Sequence, residues 1–295
     1  MRGWCLASRS RRHHFVPQTL QKRFADERRH IWYCERRSLK GSFSIPEDRN
    51  IDSCFWMRNI NTTIRSDGSL SDAAETKYWK AIDDYLTEIL DALGSNVRAN
   101  TVSVFGDEAL RSLNMVMTSL LKRSMDYFSD KPDQELGMQV LEAVKFEAGS
   151  PLNPEELGVH PLKIERPEYV GREVRLRAQG NHSGDVLREL EDYTVVYAKP
   201  QVGASFVLGS KMIFRPTKAH DGGLGATDFE MWFPIAQDAM LIRVHKTRIQ
   251  PTLLTMNKSQ VRRLNQLIVR ESLRVGSGCK RLITSLTRSK HREGF

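Results

Sequence analysis

The sequence predicts an α+β fold: a mostly helical single domain over residues 13–276 with small antiparallel β-sheets. Three observations predict it. Apolar residues recur at three-to-four spacing through much of a helical middle, 72–197. Four short apolar runs, separated by Gly, Pro or Asp, make 205–244 β-rich. A capped amphipathic stretch over 257–276 reads as a final helix. The composition agrees, since 295 residues with 40% hydrophobic and 27% charged side chains can bury a sizeable core. It excludes a disordered chain, a collagen and a coiled-coil rod. No run approaches the roughly 20 uncharged apolar residues that a membrane span needs, so no membrane partner is expected.

Residues 1–12 read as a disordered basic lead, and MRGWCLASRSRR lacks the apolar stretch of a secretory signal. Pro17 suits the first turn of a helix, where its missing N–H costs nothing, and Val16, Leu20 and Phe24 form one stripe. RHIWYCER is strand-like, with SFSI after Gly41 as its expected partner. The segment DRNIDSCFWMRNINT is less regular, and RSDGSLSD is a turn-rich loop ending in helix-capping chemistry. Helices are expected over 72–93, ended by Gly94; over 107–128; and over 133–148, closed by Gly149 and Pro151. The Pro-rich stretch 150–181 reads as a connection with room for a short helix. A helix over 184–197 is loosened at its end by Thr194, Val195 and Val196. SFVL (205–208), MIFR (212–215), FEMWF (229–233) and AMLIRV (239–244) are the expected strands. TKAHDGGLGATD is a Gly-rich loop without the spacing of a phosphate-binding loop. After the final helix, 277–295 reads as a frayed basic tail.

The net charge of +9 is unevenly spread. Residues 1–40 carry a balance of +8 and residues 243–295 one of +11, around an acidic middle of −10. Basic ends on an acidic body predict a surface for nucleic acid, RNA or DNA, or another polyanion. The competing reading is a solvated surface. Arg262, Arg263, Arg270 and Arg274 fall on the outer side of the last helix, with Arg243, Lys246 and Arg248 just ahead, and these seven are the expected phosphate contacts. Trp32, Tyr33 and Trp56 would stack bases unless they pack in the core. The four cysteines, Cys5, Cys34, Cys54 and Cys279, form no C-x-x-C pair, which fits a reducing cytoplasm.

The opening HHFVPQTLQKRFADERRHIWYCER resembles that of a widespread uncharacterised family, domain of unknown function 4238. That family begins with an H-x-x-P element, an apolar helix ending in Phe and then a strand. The matching residues are His14, Pro17, Leu20 and Phe24. The resemblance continues through RNIDSCFW, Glu75, SFVLGSKMIF, WFPIAQDAMLI and a helix bearing Asn265, roughly residues 13–276. The family usually has an Asp in the strand-turn where this chain reads Gly209-Ser210-Lys211. If that carboxylate serves a catalytic site in relatives, it is missing here. The resemblance implies an architecture and no established activity.

His13 and His14 stand just before a helix, whose positive N-terminus favours a neutral imidazole or a bound anion. His14 is therefore the central candidate, as general base, phosphate holder or, with His13, metal ligand. The competing reading is a histidine that caps the helix and bonds backbone near Asn50. In the catalytic reading Asn50 orients His14, and Glu75 and Asn265 complete the cluster. With Mg²⁺ or Mn²⁺ such a site would be a phosphodiester hydrolase, a nuclease or nuclease-like effector. An HNH-type finger is only loosely mimicked by His13, His14, Asn50 and Asn59. Glu75, on a helix with Asp83 and Asp84, would equally serve a structural ion pair, and an inward Asn265 would satisfy backbone groups. No serine-hydrolase, zincin or EF-hand motif is present in the sequence. Two readings result. One is a cytoplasmic bacterial protein that binds nucleic acid and has nuclease potential. The other is a non-enzymatic interaction module, with a partner protein, in which the His/Asn/Glu cluster only stabilises the fold.

Overall fold

Val16, Leu20 and Phe24 have no solvent exposure, as a stripe at spacing four requires of a helix laid on a core. They belong to a computed structural model that describes residues 12–102, 105–124, 133–148, 160–181, 184–215 and 229–288. In chain order its strands are β1 (Arg12–His14), β2 (His30–Glu35), β3 (Glu47–Asn50), β4 (Trp56–Arg58), β5 (Thr63–Ile64), β6 (Leu70–Ser71), β7 (Tyr193–Pro200), β8 (Leu208–Gly209), β9 (Glu230–Ala236), β10 (Ala239–His245), β11 (Leu253–Met256) and β12 (Arg274–Ser277). Its helices are α1 (Gln18–Lys22), α2 (Lys80–Ala99), α3 (Asp107–Arg123), α4 (Asp133–Ala148), α5 (Pro161–Glu165), α6 (Pro167–Gly180), α7 (Gly184–Glu191), α8 (Lys258–Glu271) and α9 (Lys280–Thr287). Helical residues outnumber strand residues, and the class is α+β as expected.

The chain gathers into two compact units that alternate along the sequence. One comprises the described parts of Met1–His14, Trp56–Ala81 and Phe128–Asn181. It holds the two-stranded sheets β1-β4 and β5-β6, a π-helix over Ala74–Trp79, and α4 packed on α6. The α4–α6 crossing depends on two glycines. A Cβ on Gly137 would stand 1.8 Å from the Pro167 carbonyl oxygen, and one on Gly171 1.8 Å from that of Asp133. Only glycine lets the two backbones approach so closely.

The other unit comprises the described parts of Phe15–Phe55, Ile82–Tyr127 and His182–Phe295. It contains two four-stranded sheets, ordered β11-β7-β10-β9 and β3-β2-β12-β8. All pairs are antiparallel except β11 with β7, which run parallel and depart from the expected pattern.

Several boundaries differ from expectation, each for a local reason. The partner of β2 is Glu47–Asn50 and not SFSI, because Pro46 has no N–H for a ladder. The helix expected over 72–93 opens as the π-helix and runs on to Ala99; Gly94 is buried inside it, and Asn100, left-handed at φ 55°, follows its end. The helix placed at 107–128 ends at Arg123, and 125–128 lie outside the described residues. From residue 160 the expected connection with room for a short helix is two helices, because Pro161 and Pro167 stand in their first turns, where the missing N–H costs nothing. The helix placed at 184–197 stops at Glu191, and the β-branched run joins β7. In the 205–215 region only Leu208–Gly209 and a bridge from Phe214 to Trp232 pair. The last helix ends at Glu271, and Arg274–Ser277 enters a sheet as β12, where Gly276 lies against Ile31 and Phe55. The expected tail contains α9, with Ile283 and Leu286 fully buried. Residues 1–11, the Gly-rich loop 217–228 and the tail from 289 lie outside the described residues.

Cys34, Cys54 and Tyr33 sit inside this second unit. Burial pushes the Cys34 thiol up to about 12 and the Cys54 thiol up to about 11, and raises the Tyr33 phenol as well. Above about pH 9 the unfolded chain ionises its thiols and the folded one does not, so the unfolded state binds fewer protons. The stability these groups contribute is complete below about pH 9 and falls as pH rises towards 11–12. Urea unfolding at pH 8 and pH 10.5 checks this: a loss of about 2–4 kcal/mol at the higher pH is expected, and an unchanged midpoint would contradict it.

Candidate functional site

The fold draws His13 into a polar cluster. In β1, His13 stands opposite Met57 of β4 and His14 opposite Trp56. Successive strand residues face opposite sides, and here His13 is 2% exposed while His14 is half-buried. Nδ1 of His13 accepts the Asn61 backbone N–H at 3.0 Å. An accepting nitrogen carries no proton, so the neutral ring is protonated at Nε2, which lies 3.5 Å from Asp72 Oδ1. Asp72 Oδ1 also accepts the Thr62 hydroxyl at 2.6 Å. Asn61 Nδ2 donates to Glu75 Oε2 at 2.6 Å. One residue, Asn61, thus ties β1 to the π-helix.

The loop that presents Asn61 is itself clamped. Asn59 takes a left-handed φ of 53°, and Thr62 N–H closes the turn onto the Asn59 carbonyl at 3.1 Å. Two arginines of α6 hold the carbonyls on either side of Asn61. Arg175 donates to that of Ile60 and Arg172 to that of Thr62 at 3.2 Å. Asp133, in the first turn of α4, accepts from Arg175 Nε at 3.0 Å and Arg172 Nε at 3.4 Å. The close α4–α6 crossing brings this carboxylate to both guanidinium groups. Wide π turns occur often at functional sites, and this one carries Glu75. In this arrangement Nδ1 of His13 is engaged by backbone, Nε2 faces Asp72, and both Asp72 and Glu75 are part-exposed.

Asn50 and Asn265 are both engaged by backbone. Asn50, in the second unit, caps the 3₁₀ turn Ile51–Ser53: its Oδ1 accepts the Asp52 N–H at 3.0 Å and its carbonyl the Ser53 hydroxyl at 2.7 Å. Asn265, fully buried on α8, accepts the Val207 N–H at 3.2 Å and donates to the Ser205 carbonyl at 2.8 Å. Of the four proposed catalytic residues, His14 and Glu75 belong to one unit, and Asn50 and Asn265 satisfy backbone groups in the other. His13 and His14 do not converge as a metal pair, and no group of three or more His, Cys, Asp or Glu among the described residues is arranged to hold a metal ion. Ser210, where an Asp was expected, accepts the N–H groups of Leu273 and Arg274 at 2.9 and 3.2 Å. The position needs an acceptor for the turn after α8, and the hydroxyl supplies it. Asn61 and Asp72 were missed as site residues; only the capping signature at Ser71-Asp72 pointed there.

The basic residues divide by burial. Arg243 is fully buried and cannot meet a phosphate. It donates to the Leu190 and Tyr193 carbonyls, both at 2.7 Å, capping the end of α7, and burial pushes its guanidinium down to about 10. Lys246 pairs with Asp192 at 2.5 Å and Arg248 with Glu230 at 2.6 Å. Arg274 pairs with Glu35 at 3.5 Å and lies over the Phe15 ring. Arg262, Arg263 and Arg270 are exposed on α8, with Glu271 3.4 Å from Arg270. The sequence reading missed Lys258 on α8 and Lys280, Arg281 and Arg288 on or beside α9, all exposed. These two helices pack together, and residues 257–288 hold eight Lys or Arg against one acid, Glu271.

A family model described as "Protein of unknown function (DUF4238)" matches residues 12–275, and the chain belongs to that family. Comparison with curated proteins and with solved structures gave no match. No helix among the described residues is long and apolar enough to cross a membrane.

Removing the His13 ring leaves the buried Asn61 N–H without its acceptor. His13→Ala is expected to lose about 1–3 kcal/mol of stability, and His14→Ala markedly less. Denaturant unfolding of both variants checks this; equal losses, or none in His13→Ala, would contradict it.

Proposed function

We propose that the protein is a cytoplasmic nucleic-acid-binding protein whose contact surface is the exposed basic side of α8 and α9. The observation that carries this reading is the excess of exposed cations on or beside two packed helices, Lys258, Arg262, Arg263, Arg270, Lys280, Arg281 and Arg288, with Glu271 the one acid in the sequence segment 257–288. Of the other expected phosphate contacts, Arg243 is buried, and Lys246, Arg248 and Arg274 each pair with a carboxylate. Unopposed guanidinium and ammonium groups release condensed counterions when they meet a phosphate backbone, which favours binding without regard to sequence. The free, buried thiols of Cys34 and Cys54 suit a reducing compartment. In this reading His13, Asn61, Asp72 and Glu75 hold the first unit together.

A second reading draws on Asp72 and Glu75, two acids at the head of a π-helix, as the carboxylates of a phosphodiester hydrolase assisted by Mg²⁺ or Mn²⁺. One experiment addresses both. Fluorescence anisotropy with labelled RNA and DNA is followed from about 0.05 to 0.2 M salt, for the unaltered protein and for Arg262→Glu/Arg263→Glu. Binding with a steep salt dependence, and a log–log slope shallower by about 1–2 in the variant, is expected. No binding at the lowest salt, or none of that loss in the variant, would contradict the proposal. Strands that stay intact with either metal ion present would argue against the hydrolase.

A further inference from the structure

Trp32 is a large aromatic side chain that the fold buries only in part. On β2 its neighbours Ile31 and Tyr33 are 0% and 2% exposed, whereas Trp32 faces the other side of the strand and is only part-buried. Across the sheet it stands between Asp48 of β3 and Ser277 of β12. The ammonium of Lys280 sits 4.4 Å above the ring centroid, in the first turn of α9. Lys280 is exposed, so a mobile cation on a four-carbon stem covers the indole face. Such an exposed cation–π contact is worth only about 0.5–1 kcal/mol and is easily exchanged. Asp48, the nearest acid in register, is engaged by the His30 imidazole at 3.2 Å.

We infer that Trp32 is a stacking platform for a base, and that the basic face of α8 and α9 therefore prefers single-stranded to duplex nucleic acid. The inference rests on the nucleic-acid reading and adds the form of the ligand. A nucleobase slides onto the indole as Lys280 swings out to the adjoining phosphate, so that one contact becomes two and no charge is left uncompensated. Duplex bases have both faces covered by their own neighbours and cannot make this exchange, whereas every base of a single strand offers a free face. Tyr33 cannot serve, because it is buried beneath Arg49.

The test compares labelled dT and U strands of about 20 nucleotides with a duplex of equal length, at ~0.1 M salt, for the unaltered protein, Trp32→Leu and Trp32→Phe. Trp32→Leu is expected to weaken single-strand binding about tenfold and duplex binding less than about twofold, while Trp32→Phe keeps most of the preference. Equal loss on both forms, or no loss, in a variant whose thermal unfolding is unchanged would overturn the inference and leave the nucleic-acid reading standing. Absence of binding by the unaltered protein would overturn both. Ultraviolet cross-linking of the unaltered protein to a dT strand needs no folded variant: the adduct is expected on the Trp32 peptide, and adducts confined to other peptides would overturn the inference.

Discussion

The first unit depends on one hydrogen bond, from the Asn61 backbone N–H to His13 Nδ1. It fixes the proton of the ring on the side of Asp72, and it holds the loop from which the Asn61 side chain reaches Glu75. The loop cannot move away freely, because Arg172 and Arg175 grip the carbonyls on both sides of Asn61 and Asp133 holds both arginines. Those arginines reach that carboxylate because Gly137 and Gly171 let α4 and α6 touch backbone to backbone. Removing one member of such a part-buried charged network leaves its partners unpaired, which costs more than the net worth of any one contact.

Burial sorts the cations of the second unit into two kinds of work. Arg243 lies inside, where two carbonyls at the end of α7 accept its donors, and a charge held there stabilises a helix end and reaches no ligand. The cations of α8 and α9 stay in water, since the apolar faces of both helices turn inward through Val261, Leu264, Ile268, Ile283 and Leu286. Amphipathic packing therefore creates the basic surface as a by-product of hiding the core side. Trp32 lies beside that surface and belongs to neither class.

Much of this was legible in residue order. The periodicity of Val16, Leu20 and Phe24, the helix over 133–148, the strands at 229–244 and the capping box at Asn257 all depend on neighbours within a turn or two, and local pattern finds them. What the pattern misplaced was decided at longer range. Pro161 and Pro167 look like breakers until helices are seen to begin on them. Arg274–Ser277 continues an amphipathic period yet is claimed by β2 and β8 from far along the chain. At the site, Glu75 was found but its partner Asn61 was not, because nothing near Asn61 foretells that a strand 48 residues earlier will accept its N–H. His14 was favoured over His13 for want of the strand phase, which one residue of register inverts.

His13 is an internal acceptor and not a free base. Ring ¹⁵N chemical shifts of the imidazole-labelled protein at neutral pH read this directly. An unprotonated Nδ1 coupled to the Asn61 amide, with the proton on Nε2, is the expected result. A ring protonated at Nδ1, or one exchanging rapidly between tautomers as a solvent-exposed imidazole does, would contradict it.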